Sequence, residues 1–224
     1  VIPVLVPYRP DHGHRDELWA FVQRAFWNRL PYTVVEGAHD DGPFNRSAAV
    51  NRAANDAGDW DVAIIADADT WVAPTNLAKA VDQAAAGLVS ALTSVVELGE
   101  ACTRTILAGN IIDPTTFGID RIRTDDIATQ SSMLVVSREL WDHVGGFDEK
   151  FVGWGGEDNA FWKAATILGG PPRRVDGCAF HLWHEPASDQ ATRMRDPGYV
   201  RNLNRWLKYQ RARNASQLRA AQHA

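Results

Sequence analysis

Two carboxylates one residue apart, Asp67 and Asp69, close the apolar run Val62-Ala63-Ile64-Ile65-Ala66. Held that close they repel each other unless a cation is shared between them, and oxygen-only ligands favour a hard ion such as Mg2+ or Mn2+. A polar turn after a strand uses aspartate equally well, for its side-chain hydrogen bonds to the backbone. The pair alone leaves both readings open. A second dense stretch, Gly153-Trp154-Gly155-Gly156-Glu157-Asp158, sets an aromatic plane on a backbone that can approach a ligand closely, then opens a helix on two acids. Acids in a first helical turn also serve as plain dipole partners, worth under about 1 kcal/mol. The third group is the pair His181 and His184 in His-x-x-His spacing. Imidazole is a common metal ligand, although a lone histidine after a strand is more often structural.

The elements that must carry these groups follow from periodicity. Val62–Ala66 is small or β-branched and free of charge, which suits a strand buried on both faces, with the aspartates at its carboxyl end, where ligands bind in an open α/β sheet. Upstream, residues 1–7 suggest a strand stopped by Pro7-Tyr8-Arg9-Pro10. A helix over 16–28, a strand over 31–36 and a helix over 45–57 follow. The order βαβαβ predicts three neighbouring parallel strands. Downstream the pattern gives a helix over 74–86, one strand over 88–98, an aperiodic substrate-facing loop over 99–129, a strand over 132–137 and a short helix over 138–144 ended by Gly145-Gly146. A helix from Glu157 to Leu168 and a strand over 174–179 come next. Tyr199, Val200, Leu203, Trp206 and Leu207 mark one apolar face of a C-terminal helix.

A chain of 224 residues with 45% hydrophobic and 23% charged content has room for one substantial core. Two cysteines, Cys102 and Cys178, make neither a disulfide framework nor a zinc spacing. No apolar run approaches the roughly 18 residues of a membrane span and no signal-peptide pattern opens the chain, so a soluble, cytoplasmic protein is expected. Net charge is −5, unevenly spread: residues 198–224 hold six basic and no acidic residues, leaving 17 basic against 28 acidic elsewhere. That tail offers little beyond Ala212, Leu218 and scattered alanines to bury after Gln210, and is expected to stay solvated. The organisation expected is one domain over 1–197, with 198–224 as a C-terminal basic helix and tail of the same domain.

Five motifs in order, Val6-Pro7-Tyr8-Arg9, Pro43-Phe44-Asn45-Arg46, Asp67-Ala68-Asp69, Gly153 to Asp158, and His181-x-x-His184, resemble metal-dependent glycosyltransferases of the GT-A fold. The likeness is closest to the group of the β-1,4-galactosyltransferases and bacterial chondroitin polymerases, and more distant to the polypeptide N-acetylgalactosaminyltransferases. It implies a Rossmann-like, mixed but mostly parallel sheet flanked by helices, with a C-terminal helix. It also implies that Pro7, Tyr8 and Arg9 line the nucleotide site, that Phe44 and Arg46 hold uridine and diphosphate, and that Asp67 touches the ribose or an outer-shell water. Asp69 and His184 would bind Mn2+ (or Mg2+), with His181 in support, while Trp154, Gly155 and Glu157 face the donor sugar and acceptor. Asp158 falls where inverting members keep their general base; retaining members have asparagine near this point, and here Asn159 follows. The family motif carries a second arginine two residues past Arg9, where this chain has Asp11.

The expected activity is therefore that of a hexosyltransferase moving a sugar from a UDP-sugar to an acceptor hydroxyl with inversion. The alternatives are a retaining enzyme of the same fold and a non-catalytic nucleotide-sugar or carbohydrate-binding protein. A nucleotidyltransferase would want a glycine-rich, lysine-bearing loop after the first strand, and Pro7-Tyr8-Arg9-Pro10 offers none. A glycan, a protein hydroxyl, a lipid-linked sugar and a modified nucleobase are all open as acceptors.

Overall fold

The computed structural model describes residues 1–39, 41–109, 118–185, 192 and 194–224. Its centre is a six-stranded sheet in the order β2-β1-β3-β8-β5-β9, built from β1 (Pro3–Pro7), β2 (Thr33–Gly37), β3 (Val62–Ala66), β5 (Leu88–Ser90), β8 (Met133–Ser137) and β9 (Arg173–Arg174). β1 pairs in parallel with both β2 and β3, the three-strand arrangement that the βαβαβ order requires. Beyond β3 the direction reverses, because β8 lies antiparallel to both β3 and β5. A second sheet, β4-β10-β6-β7, joins β4 (Thr70–Val72), β6 (Ser94–Leu98), β7 (Ile119–Arg123) and β10 (Cys178–His181).

Local chemistry accounts for the crossovers. Helix α1 (His14–Ala25) buries Leu18, Trp19 and Val22 against the sheet. Helix α2 (Arg46–Asp56) starts at Asn45, whose Oδ1 accepts from the Ala48 amide at 3.0 Å, the N-cap bond that satisfies a free first-turn donor. At the end of β2, a Cβ on Gly37 would stand 1.8 Å from the Ala49 carbonyl oxygen, so only glycine lets strand and helix meet there. Helix α3 (Pro74–Gln83) follows β4, and α5 (Arg138–Val144) ends on Gly145 at φ 88°. Helix α6 (Glu157–Gly169) packs Ala160, Phe161, Ala164 and Ala165 into the core on the other side of the sheet. Among the described residues no helix is long and apolar enough to cross a membrane, and both cysteines are free.

Four expectations are corrected. The run 88–98 is two strands in two sheets: β5 stops at Ser90, whose hydroxyl donates to the Leu92 carbonyl, and the chain turns into β6. Ala91 and Leu92 are fully buried at the bend, so hydrophobicity continues through it and hides it. The strand over 174–179 divides in the same way, at Gly177. Within 99–129 the expected loop contains α4 (Glu100–Leu107), which buries Cys102, Thr103 and Ile106, and β7; residues 110–117 lie outside the described part. The last correction is C-terminal. In α7 (Pro197–Arg211) the most buried side chains are Asn202, Arg205 and Tyr209, while Trp206 packs only half-buried against the core. The tail is not solvated throughout: α8 (Ala215–His223) docks with Leu218 fully buried and Ala221 nearly so.

Candidate active site and metal centre

The carboxyl ends of β1 and β3 and the end of β10 converge on Asp69. Its backbone carbonyl accepts from Leu182 N at 3.0 Å, which ties the end of β10 to the turn after β3. That bond, with His181 paired opposite Thr70, presents both histidines to the Asp69 carboxylate. His181 Nε2 lies 3.5 Å from Oδ1 and His184 Nε2 lies 3.4 Å from Oδ2, with the two rings nearly perpendicular. All three side chains are largely buried. Burial opposes ionisation of Asp69, but His181, His184 and Arg15 together hold its carboxyl below the usual range. Burial pulls His181 down while Asp69 outweighs it and raises the ring; His184 is lowered, chiefly by burial.

One carboxylate and two imidazoles with ligand atoms within 4.8 Å of one another fit a divalent ion. Nitrogen in the set suits Mn2+ better than Mg2+. His181 is therefore as well placed as His184. It belongs in the cluster itself, where the resemblance implied only a supporting place for it.

Asp67 faces elsewhere. Arg46, the first residue of α2, donates to Asp67 Oδ1 from Nη2 at 2.7 Å and from Nε at 3.3 Å, and its Nη1 lies 2.5 Å from Asp158 Oδ1. The guanidinium also sits over the Phe147 ring. Arg46 is thus occupied by two protein carboxylates, and Asp67 is turned to it and away from the Asp69 cluster. Burial pushes Asp158 well above the ordinary carboxylate range against the pull of Arg46, with Glu157 and Asp67 adding to the rise. Burial raises Glu157 too, and its buried Oε2 has no hydrogen-bond partner among the described residues.

The remaining expected residues form the rim. Pro7 ends β1; the Tyr8 hydroxyl donates to Asp16, and burial with this bond raises its pKa. Arg9 lies over the Phe44 ring at 5.4 Å and donates to the Gly42 carbonyl. The Phe44 carbonyl accepts from Gly153 N at 3.1 Å, joining this rim to the glycine-rich loop. There Gly153, Gly155 and Gly156 all have positive φ, and Trp154 is 57% exposed, stacked on Tyr199 of α7 at 5.6 Å. Asn202 donates to the carbonyls of Val152 and Trp154, so α7 sets the shape of that loop. Tyr199 and Asn202 carried no motif. A cavity of about 690 Å³ opens beside the metal centre, lined in part by Arg15, Arg104, Trp183 and His184.

Residues 123–184, which include Glu157, Asp158, His181 and His184, match the family model described as the N-terminal domain of galactosyltransferase. No curated protein matches the chain in sequence. Among solved structures, the fold is similar to that of Drosophila β1,4-galactosyltransferase 7, solved as a mutant with manganese, UDP-Gal and xylobiose. Identity is 19%, 87% of this chain and 79% of that one are covered, and the TM-score is 0.57. The same enzyme's catalytic domain with xylobiose gives 20% identity over the same shares, again with a TM-score of 0.57. Glucosyl-3-phosphoglycerate synthase from Mycobacterium tuberculosis, with Mn2+ and UDP-glucose, gives 13% identity over 92% of this chain and 77% of that one, with a TM-score of 0.53. The fold is GT-A, as the ordered motifs implied.

Proposed function

We propose that this protein is a metal-dependent glycosyltransferase that moves a sugar from a UDP-sugar to an acceptor hydroxyl with inversion. The observation that carries the reading is the joint placement of a carboxylate–imidazole cluster and a buried, charge-strained Asp158 on the two sides of the Asp67–Arg46 pair. Asp69, His181 and His184 would hold the ion, which when bound offsets the negative charge of a nucleoside diphosphate. Pro7, Tyr8, Arg9 and Phe44 border the nucleotide at the strand ends, and Asp67 faces the ribose side.

Asp158 acts as general base. Its raised pKa makes it a stronger proton acceptor than an exposed aspartate, while Arg46 opposes that rise and favours the ionised form that accepts a proton. Glu157 and the exposed Trp154 plane lie next to it, where a sugar ring can pack on an aromatic face. Asn159 supports inversion: its amide nitrogen is committed to Ile127 O at 3.2 Å and Gln130 Oε1 at 2.9 Å and is not offered to a substrate.

The test is a panel of UDP- and GDP-sugars scored for hydrolysis without acceptor, with Mn2+ or with chelator. Slow hydrolysis of a UDP-sugar is expected with Mn2+ only, and it should be lost in both His181→Ala and His184→Ala. A panel with no metal-dependent hydrolysis, together with no UDP binding in Mn2+, would reject the assignment.

A further inference from the structure

Four arginines stand close to the candidate donor site, and three are spent. Arg46 is held by Asp67 and Asp158. Arg9 donates to the Gly42 carbonyl and covers Phe44. Arg104, across the cavity, is engaged with Glu100 one turn away on the same helix. Arg15 differs. Its guanidinium Nη2 sits 3.2 Å from Nδ1 of His184, and among the described residues no carboxylate lies within ion-pair distance of it.

That position is built, not incidental. Asp11 folds the turn before α1: its carboxylate accepts from Gly13 N at 2.8 Å, Arg15 N at 3.3 Å and Asp16 N at 3.3 Å. The Asp16 carboxylate answers by accepting from Asp11 N and His12 N, both at 3.0 Å. On the other side, His14 Nε2 meets the Trp183 carbonyl at 3.0 Å and the two rings lie 5.8 Å apart, which clamps the 183–184 segment to α1. Two interlocked contacts therefore fix a cation that has no ion-paired carboxylate among the described residues beside the Asp69, His181 and His184 side chains, with the Asp69 carboxylate as its one anionic neighbour there. Two like charges a few ångströms apart repel, and the single charge of Asp69 cannot offset both a divalent ion and a guanidinium, so the arrangement favours a further anion between them.

We infer that Arg15 binds the terminal, sugar-bearing phosphate of a nucleoside diphosphate seated at the Asp69–His181–His184 centre, a role that neither Arg9 nor Arg46 is free to take. This rests on the function proposed above and assigns one step of it. As the acceptor oxygen bonds to the anomeric carbon and its proton passes to Asp158, the anomeric C–O bond breaks and its electron pair stays on the phosphate oxygen. The new charge falls beside Arg15, whose planar fork donates two hydrogen bonds to a phosphate at once.

The experiment is calorimetric titration of wild type, Arg15→Gln and Arg15→Lys with UDP, UMP and Mn2+ alone. Wild type should prefer UDP to UMP, and Arg15→Gln should lose about tenfold or more in UDP affinity while UMP changes less than about twofold. Arg15→Lys should keep part of the preference through charge alone. Mn2+ by itself should bind Arg15→Gln at least as well as wild type, because a repelling charge is gone. A UDP-over-UMP preference that shrinks by less than about fivefold overturns the inference, as does weakened Mn2+ binding, which would make Arg15 a prop for His184. Either result leaves the proposed function standing if wild type still binds UDP in Mn2+. Wild type that binds no UDP in Mn2+ would remove both.

Discussion

Two of the arginine-centred clusters among the described residues are built on opposite accounts of charge. At the C-terminal helices, Arg205 reaches Asp148 from Nε at 2.6 Å and the Gln222 carbonyl from Nη2 at 2.9 Å; the same carboxylate accepts from Tyr209 at 2.6 Å. One cation meets one carboxylate, every group is partnered, and the cluster joins α7 and α8 to the body. Burial and the bond to Asp148 push the Tyr209 hydroxyl far up, so it stays a neutral donor. At the sheet end, Arg46 faces Asp67, Asp158 and Glu157, and two of those three acids are pushed upward. The difference separates an ion pair that holds the fold from one that stores an imbalance a reaction can use. In a balanced pair each charge is met by its partner, whereas an excess of buried carboxylate leaves acids pushed upward, the condition found at groups that handle protons.

The sharpest way to break that contrast is Asp158→Asn. Loss of a general base should lower turnover about 10²- to 10⁴-fold while UDP affinity stays near wild type, measured by steady-state transfer beside calorimetry. Near-normal turnover would reduce Asp158 to a helix-start residue. The mirror substitution, Arg205→Met, should destabilise by about 3 kcal/mol, because Asp148 is left buried with its charge uncompensated. Chemical denaturation reads this directly, and hydrolysis per folded molecule should not change. If activity fell with stability intact, the C-terminal cluster would be part of the site.

The smallest effect is a pH shift in Arg46→Met. As the proposed general base, Asp158 must be ionised to act, so activity should rise with pH as it loses its proton. Its raised pKa places this acidic limb above that of an ordinary aspartate. Removing Arg46 takes away the main lowering influence, so the limb should move to still higher pH. A limb that stays put, or moves to lower pH, would mean that another group controls it.

Docking of the tail also changes what truncation means. Deleting residues 211–224 would expose the surface under Leu218 and take from Arg205 its Gln222 partner, so loss of stability is expected before any loss of chemistry.

The residue pattern determined a good deal unaided. Charge-free Val62–Ala66 ending on two aspartates specifies a buried strand with a polar mouth, and βαβαβ connectivity leaves right-handed parallel neighbours as the natural arrangement. Motif order was enough to indicate the GT-A fold. These properties are local, set by periodicity, end signals and spacing along the chain. Tertiary structure alone decided the partnerships: Arg46 with Asp158, Arg15 with His184, and His181 as an equal in the candidate metal cluster. It also decided where one apolar run divides between two sheets. The physical reason is common to all of these. A side chain's type reports how much burial or charge it tolerates, but sheet order and crossovers decide which distant residue supplies the compensating group, and a bend buried on both sides leaves no change in hydrophobicity to mark it.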